Sequence, residues 1–233
     1  MEMTGTEDAI GLAWTRAQEQ GSECPLFSDP YAQRFVDAAV AGGWRPPADA
    51  LSGYQVARTK WFDEFLIAAC ANGVVQAVIL APGLDARAWR LPWVSDSVLY
   101  EIDEPRLLPL KTQTLHDTTP AATYIPVPLS ADWPTALPDA GFDPDEPTAW
   151  VVEGAELLAA DHDSLFGRIA ELSARDSRIA VELPGRPDWL REHGWEVTVE
   201  DVTDLMNRYG RCAVGDPDAS TPDTSFVSAR RTG

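Results

Sequence analysis

The sequence predicts an α/β fold, a mostly parallel seven-stranded sheet with helices on both faces, preceded by a helical N-terminal extension. Three observations carry this reading. Short apolar runs rich in Val and Ile recur from Gln76 onward, helix-compatible stretches separate them, and residues 1–73 show helical texture with no strand-like run. Strands that alternate with helices need crossover connections, which give a parallel sheet covered on both sides.

The elements follow in order. Ala9 to Gln20 reads as a helix ended by Gly21, and Asp29-Pro30 opens a second, with Asp29 as N-cap and Pro30 at the first helical position. Gly42-Gly43 closes it, and after Pro46-Pro47 a longer helix runs from about Asp49 to Asn72, stopped by Gly73. Gln76 to Ala81 is the first buried strand, broken by Pro82-Gly83. Ser97 to Asp103 is the second, followed by a helix from Glu104 to about Asp117. Thr123 to Leu129 is the third, and its Pro126 and Pro128 suit only a sheet edge or a strand end. Thr148 to Glu153, Arg178 to Glu182, Trp195 to Val199 and Thr224 to Arg230 complete the set. No repeat or long linker divides the chain, so we expect one domain over residues 1–233, with 1–73 as a helical cap and 74–233 as the Rossmann-like core.

Charge narrows the partners. The formal charge is −19, with 37 acidic against 18 basic residues. Nucleic-acid binding requires Lys and Arg to displace phosphate counterions, and docking on anionic lipid requires the same excess, so neither is expected. The three cysteines form no Cys-x-x-Cys pair, which argues against a disulfide framework and against a zinc site. The first residues lack the basic and apolar regions of a signal peptide, and the most apolar stretch, Phe65 to Leu84, is interrupted by Asn72, Gly73, Gln76, Pro82 and Gly83. A cytoplasmic protein is the expectation.

In an open α/β sheet, ligands bind beyond the carboxyl ends of the strands. The first strand ends in Ala81-Pro82-Gly83-Leu84-Asp85, where a glycine permits close approach of backbone to a ligand. The second ends in Asp103, twenty positions after Gly83. Its carboxylate suits two ribose hydroxyls, and it also suits the N-cap of the next helix. Glu153 ends the fourth strand at the same rim. Arg58 shares a helical stripe with Trp61, Phe62, Phe65 and Ala69, which places it toward the core. Such an arginine snorkels, forms a structural ion pair, or meets an anionic ligand.

Several ordered blocks resemble the leucine carboxyl methyltransferase family, in particular its actinobacterial S-adenosyl-L-methionine-dependent branch: AIGLAWTRAQEQ, PLFSDPYAQRFV, ARTKWFDEF, VILAPGLDARAWRLPW, VLYEIDEP, DWPTAL, GFDPDEPTAWVVEG and RIAELSARDSRIAVE. The resemblance covers about Ala9 to Glu182 and resumes at LREHGWEV and LMNRYGR. It implies the class I methyltransferase fold and S-adenosyl-L-methionine as cofactor. It also implies that Arg58 binds the carboxylate of the cofactor's methionine part, Gly83 lies against that part, and Asp103 holds the ribose. Leu129 would sit near the adenine, Glu153 near the amino group or sulfonium, and Arg16 would match a basic residue touching the carboxylate.

Four features depart from the family pattern. Pro82 stands where a glycine is usual, Pro128-Leu129 replaces Asp-Leu, Ala155-Glu156-Leu157-Leu158-Ala159 replaces an apolar run with a tyrosine, and the segment from Glu182 to Trp189 is short. The short segment implies a more open site or a lost lid. Glu156 and Asp161 are the acid/base candidates by position, while His116, His162 and His193 are expected on the surface. The resulting expectation is O-methylation of a small-molecule carboxylate or hydroxyl, as in natural-product biosynthesis. The alternative is a methyltransferase fold that has lost methyl transfer and catalyses a cyclisation or elimination, or serves as a binding or partner protein.

Overall fold

A computed structural model of the chain describes residues 4–47, 53–130, 132–153, 162–184, 187–211 and 224–233. Three helices come first: α1 (Thr4–Gln20), α2 (Ala32–Ala41) and α3 (Gly53–Ala71). β1 (Gln76–Leu80), α4 (Arg87–Arg90), β2 (Val98–Asp103), α5 (Leu107–Thr114), β3 (Thr123–Pro128) and α6 (Trp133–Asp139) follow. The chain then forms β4 (Thr148–Val152), α7 (His162–Glu171), β5 (Arg178–Leu183), α8 (Asp188–Glu192), β6 (Trp195–Asp201), α9 (Val202–Arg208) and β7 (Ser225–Arg231).

The strands form one sheet in the order β3-β2-β1-β4-β5-β7-β6. All neighbours are parallel except β7, which runs antiparallel to both β5 and β6. The proline-bearing β3 lies at an edge, as its missing N–H groups require. β1 and β4 are buried along their whole length, which is why they read as continuous apolar runs rather than alternating ones.

Alternate side chains of each strand feed two cores. Ala77, Ile79, Leu99, Val151 and Phe226 pack with α1, α2, α3 and α9 on one face. Val78, Leu80, Trp150, Ile179 and Val181 pack with α6, α7 and α8 on the other. The first core seats a buried ion pair in which Lys111 of α5 donates to Glu101 of β2 at 2.5 Å. Burial pushes the Glu101 carboxyl up, and Lys111 offsets part of that rise.

Element ends differ from the sequence reading where a local interaction intervenes. The regular second helix starts at Ala32, two residues after Pro30, while the Asp29 carboxylate accepts the N–H groups of Tyr31 and Ala32, the bonds expected of an N-cap. The helix after β2 is shorter than read, Leu107–Thr114, since Glu104 to Arg106 form a turn. Among the described residues no helix is long and apolar enough to cross a membrane.

Candidate functional site

The carboxyl ends of β1, β2, β4 and β5 meet the N-terminal helices, and charged side chains collect there. The turn after β1 is tightly specified. Ala81 and Gly83 both adopt left-handed backbone, with φ of 55° and 59°, on either side of Pro82. A left-handed alanine is strained, and such strain concentrates at functional turns. Gly83 has a second constraint, because a Cβ there would come within 3.3 Å of the Ala9 Cβ on α1. Its N–H donates to Asp103 Oδ2 at 2.7 Å, joining the ends of β1 and β2.

Asp103 Oδ1 accepts the Glu104 N–H at 2.7 Å, but Asp103 does not cap the next helix, because α5 begins at Leu107 with Arg106 at its N-cap position and no side-chain cap. It serves the following turn and ties down Gly83, while an ionised carboxylate keeps further lone pairs for a ligand. Burial pushes its pKa above the ordinary value, and Lys111 and the two backbone N–H groups offset only part of that rise. Leu129, just past β3, is half-buried beside it, and its N–H donates to the Asp103 carbonyl at 2.7 Å.

Arg58 does not snorkel. It is 9% exposed, and it donates from Nη1 to Glu153 Oε2 at 2.7 Å and from Nε to Glu182 Oε2 at 2.6 Å. The Tyr54 hydroxyl donates to the other oxygen of Glu182. Glu153 accepts from Arg87 as well. Arg87 is fully buried and reaches Asp63 at 2.8 Å and Asp85 at 3.5 Å. Arg90 in turn donates to Asp63 at 2.5 and 2.7 Å and to Asp85 at 3.1 Å. Arg16 closes the cluster, reaching Asp29 at 3.0 Å and Asp85 at 3.7 Å. The Phe62 ring packs against two of these guanidiniums, with the Cζ atoms of Arg58 and Arg87 at 5.3 and 5.9 Å from its centroid.

Among the described residues, four guanidiniums and five carboxylates are therefore linked in one buried network, an excess of one negative charge. Burial alone would raise the Asp85 carboxyl, yet Arg87, Arg90 and Arg16 together hold it well below the usual carboxylate range. Nη2 of Arg16 and Nη2 of Arg87 remain buried with no hydrogen-bond partner among the described residues. Buried donors of this kind are costly unless something accepts from them.

Of the residues singled out in the sequence, Arg58, Glu153 and Arg16 lie in this network, and Gly83, Asp103 and Leu129 form the adjoining rim. Glu156 and Asp161 lie outside the described residues, as does the stretch from Ala155 to Ala159. None of the histidines belongs to the network: His116 and His193 are exposed, and half-buried His162 begins α7. Sequence reasoning assigned no role to Tyr54, Asp63, Arg87, Arg90 or Glu182. The available signals were the pattern Asp85-x-Arg87-x-x-Arg90 after β1 and the paired glutamates ending the fourth and fifth strands.

The comparisons agree with this architecture. The family model for leucine carboxyl methyltransferase matches residues 9–170. A protein of Mycobacterium sp. (strain KMS) with the provisional name S-adenosyl-L-methionine-dependent methyltransferase is 47% identical, over 98% of this chain and 98% of its own. A Mycolicibacterium gilvum protein of the same provisional name is 51% identical, over 96% and 93%. One from Mycobacterium tuberculosis (strain ATCC 25177 / H37Ra) is 36% identical over 96% and 93%; its alignment spans 293 positions, so it carries insertions relative to this 233-residue chain. Among solved structures, a DUF574 family protein from Streptomyces avermitilis aligns with a TM-score of 0.54 at 17% identity, over 94% of this chain and 96% of that one. The CurJ carbon methyltransferase aligns at 0.52 and 11%, over 97% and 68%. These likenesses, with the strand order and the antiparallel β7, show the class I methyltransferase fold. The match over residues 9–170 and the near-full-length identity to the mycobacterial proteins place this chain in the leucine carboxyl methyltransferase family.

Proposed function

We propose that the protein is an S-adenosyl-L-methionine-dependent methyltransferase that methylates an oxygen, of a carboxylate or a hydroxyl, on a small molecule. The observation that carries the reading is the Arg58–Glu153 pair at the end of β4, beside the Gly83–Asp103 contact. The methionine end of the cofactor is a zwitterion, and a paired arginine and glutamate are its electrostatic complement. The cofactor is a cation overall, which suits a network with one surplus carboxylate. When bound, it supplies an electrophilic methyl group on sulfur.

The chain's own residues then have separable tasks. Arg58 opens from its glutamates to hold the carboxylate, and the unpartnered Nη2 atoms of Arg16 and Arg87 supply positive potential behind it. Glu153 takes the ammonium while Arg87 keeps its other oxygen in place. Asp103 accepts the ribose hydroxyls, and Leu129 lies along the adenine. In-line displacement depends mainly on positioning. A carboxylate acceptor needs no base, whereas a hydroxyl acceptor calls for one, for which Glu156 and Asp161 are the candidates by position.

The test is transfer from methyl-labelled cofactor to a panel of small carboxylic acids, phenols and alcohols. Label that alkali releases as methanol identifies an ester, and alkali-stable label on oxygen identifies an ether. Label found only on nitrogen or carbon, or no cofactor binding at all, contradicts the proposal.

Asp103→Asn is expected to weaken binding of S-adenosylhomocysteine by about tenfold to a hundredfold by calorimetry, the scale of losing a charge-assisted hydrogen bond. Wild-type affinity is expected to fall as pH drops through the raised pKa of Asp103, and the asparagine variant is expected to lack that dependence. The sign for folding is opposite. A raised folded-state pKa contributes stability below the unfolded value and loses it as pH rises through the folded value. The substitution relieves the buried charge but leaves the Gly83 or Glu104 N–H without its acceptor, so urea unfolding is expected to show a loss of about 1–3 kcal/mol beside the loss of affinity.

A further inference from the structure

A second pocket lies on the sheet face that carries α3, toward the amino end of β5. Arg178 is the first residue of β5 and Glu182 the fifth, so the pocket sits about 13 Å along the strand from the network described above. The cavity measures about 480 Å³ between α3, α9 and strands β5, β6 and β7. Trp61 and Phe65 of α3 form an aromatic wall, and the register partners Thr198 and Ser228 contribute hydroxyls from the sheet.

Three arginines line this one cavity in a chain whose acids outnumber its bases two to one. Two of them are matched. Arg230 reaches Glu196 at 3.3 Å and Asp176 at 3.7 Å, and Arg208 reaches Glu200 at 2.8 Å. The remaining acid of the lining, Glu64, takes Lys60 at 3.3 Å and the Tyr209 hydroxyl at 2.6 Å. Arg178 is different. Its side chain makes no ion pair among the described residues, and its Nε is buried with no hydrogen-bond partner. The pocket thus holds an arginine without an ion-pair partner beside an aromatic wall, in a shell whose four basic and four acidic groups balance.

We propose that this pocket is a second ligand site, separate from the cofactor edge, for a small organic monoanion: a carboxylate that pairs with Arg178, carried on a planar apolar body that packs on Trp61 and Phe65. A single carboxylate supplies the ion-pair partner that Arg178 lacks, accepting from the terminal nitrogens of its guanidinium. The apolar body has two aromatic partners, and the inward hydroxyls of Thr198 and Ser228 satisfy the second face of the head group.

The probe is benzoate, titrated by calorimetry into the full-length protein at low ionic strength, with acetate and benzylamine as comparisons. Benzoate is expected to bind saturably at one site in the millimolar range, with acetate roughly tenfold weaker and no saturable binding of benzylamine. Arg178→Gln is expected to weaken benzoate by about tenfold or more. Arg45→Gln, whose exposed guanidinium bonds the Trp44 carbonyl, is expected to leave it unchanged. Phe65→Ala provides a second variant and is expected to weaken benzoate while sparing acetate. No saturable benzoate binding to the wild type, equal binding by Arg178→Gln, or benzylamine binding as tight as benzoate each overturns the proposal.

Discussion

Replacing Arg58 with alanine is expected to lower the affinity for S-adenosylhomocysteine by a hundredfold or more, about 3 kcal/mol, because it removes the most accessible guanidinium of the described carboxyl-edge network. Two effects combine. The ligand carboxylate loses its charge partner, Glu182 loses its guanidinium and Glu153 keeps only Arg87, so the site turns more negative where an anion must enter. Arg58→Lys separates them. It restores the charge that the glutamates need, and hence much of the stability, yet it lacks the planar fork that serves two acceptors at once. Its affinity is expected to stay about tenfold down while its urea midpoint approaches the wild-type value. Cofactor affinity undiminished in Arg58→Ala would sink the assignment of this residue.

Arg87→Met is expected to cost about 3–5 kcal/mol of folding stability, measured by urea unfolding at pH 7. No accessible surface remains on Arg87, and its loss strands parts of Asp63, Asp85 and Glu153. Against a total stability of about 5–15 kcal/mol for a typical domain, that loss brings the variant near the edge of folding. The pH dependence identifies the cause. In the wild type, Asp85 has a depressed folded-state pKa, so its stabilising contribution is present above the ordinary carboxylate value and is lost as pH falls toward the folded one. Without Arg87 the stranded carboxyls gain affinity for protons, and the deficit against wild type is expected to shrink between pH 7 and pH 5. A deficit under about 1 kcal/mol, the size of an exposed ion pair, contradicts the buried-network account.

The strands were legible in the sequence because apolar runs bounded by Pro, Gly and Asp mark buried parallel strands directly. The end of β1 shows the limit. The run QAVILA was read through Ala81, yet the strand stops at Leu80 because Ala81 turns left-handed to bring Gly83 against α1 and Asp103. A side chain at Gly83 would crowd Ala9, far away in the chain, so this constraint on the turn is tertiary. The same holds for the site. Gly83, Asp103 and Glu153 are strand-end residues, and strand ends are visible in a sequence. The partners of Arg58 are not, because Glu153 and Glu182 lie 95 and 124 positions away and become neighbours only when β4 and β5 align under α3. Periodicity placed Arg58 facing inward but left open whether its anion belonged to a ligand or to the protein. In the structure the anions are the protein's own, and the proposed ligand exchanges with them.

A crystal structure of the chain with S-adenosylhomocysteine tests that exchange most directly. The account predicts an opened Arg58–Glu153 pair, with the ligand carboxylate on Arg58, its ammonium on Glu153, and the ribose hydroxyls on Asp103. A ligand bound elsewhere, with the Arg58–Glu153 contact still closed at 2.7 Å, contradicts it.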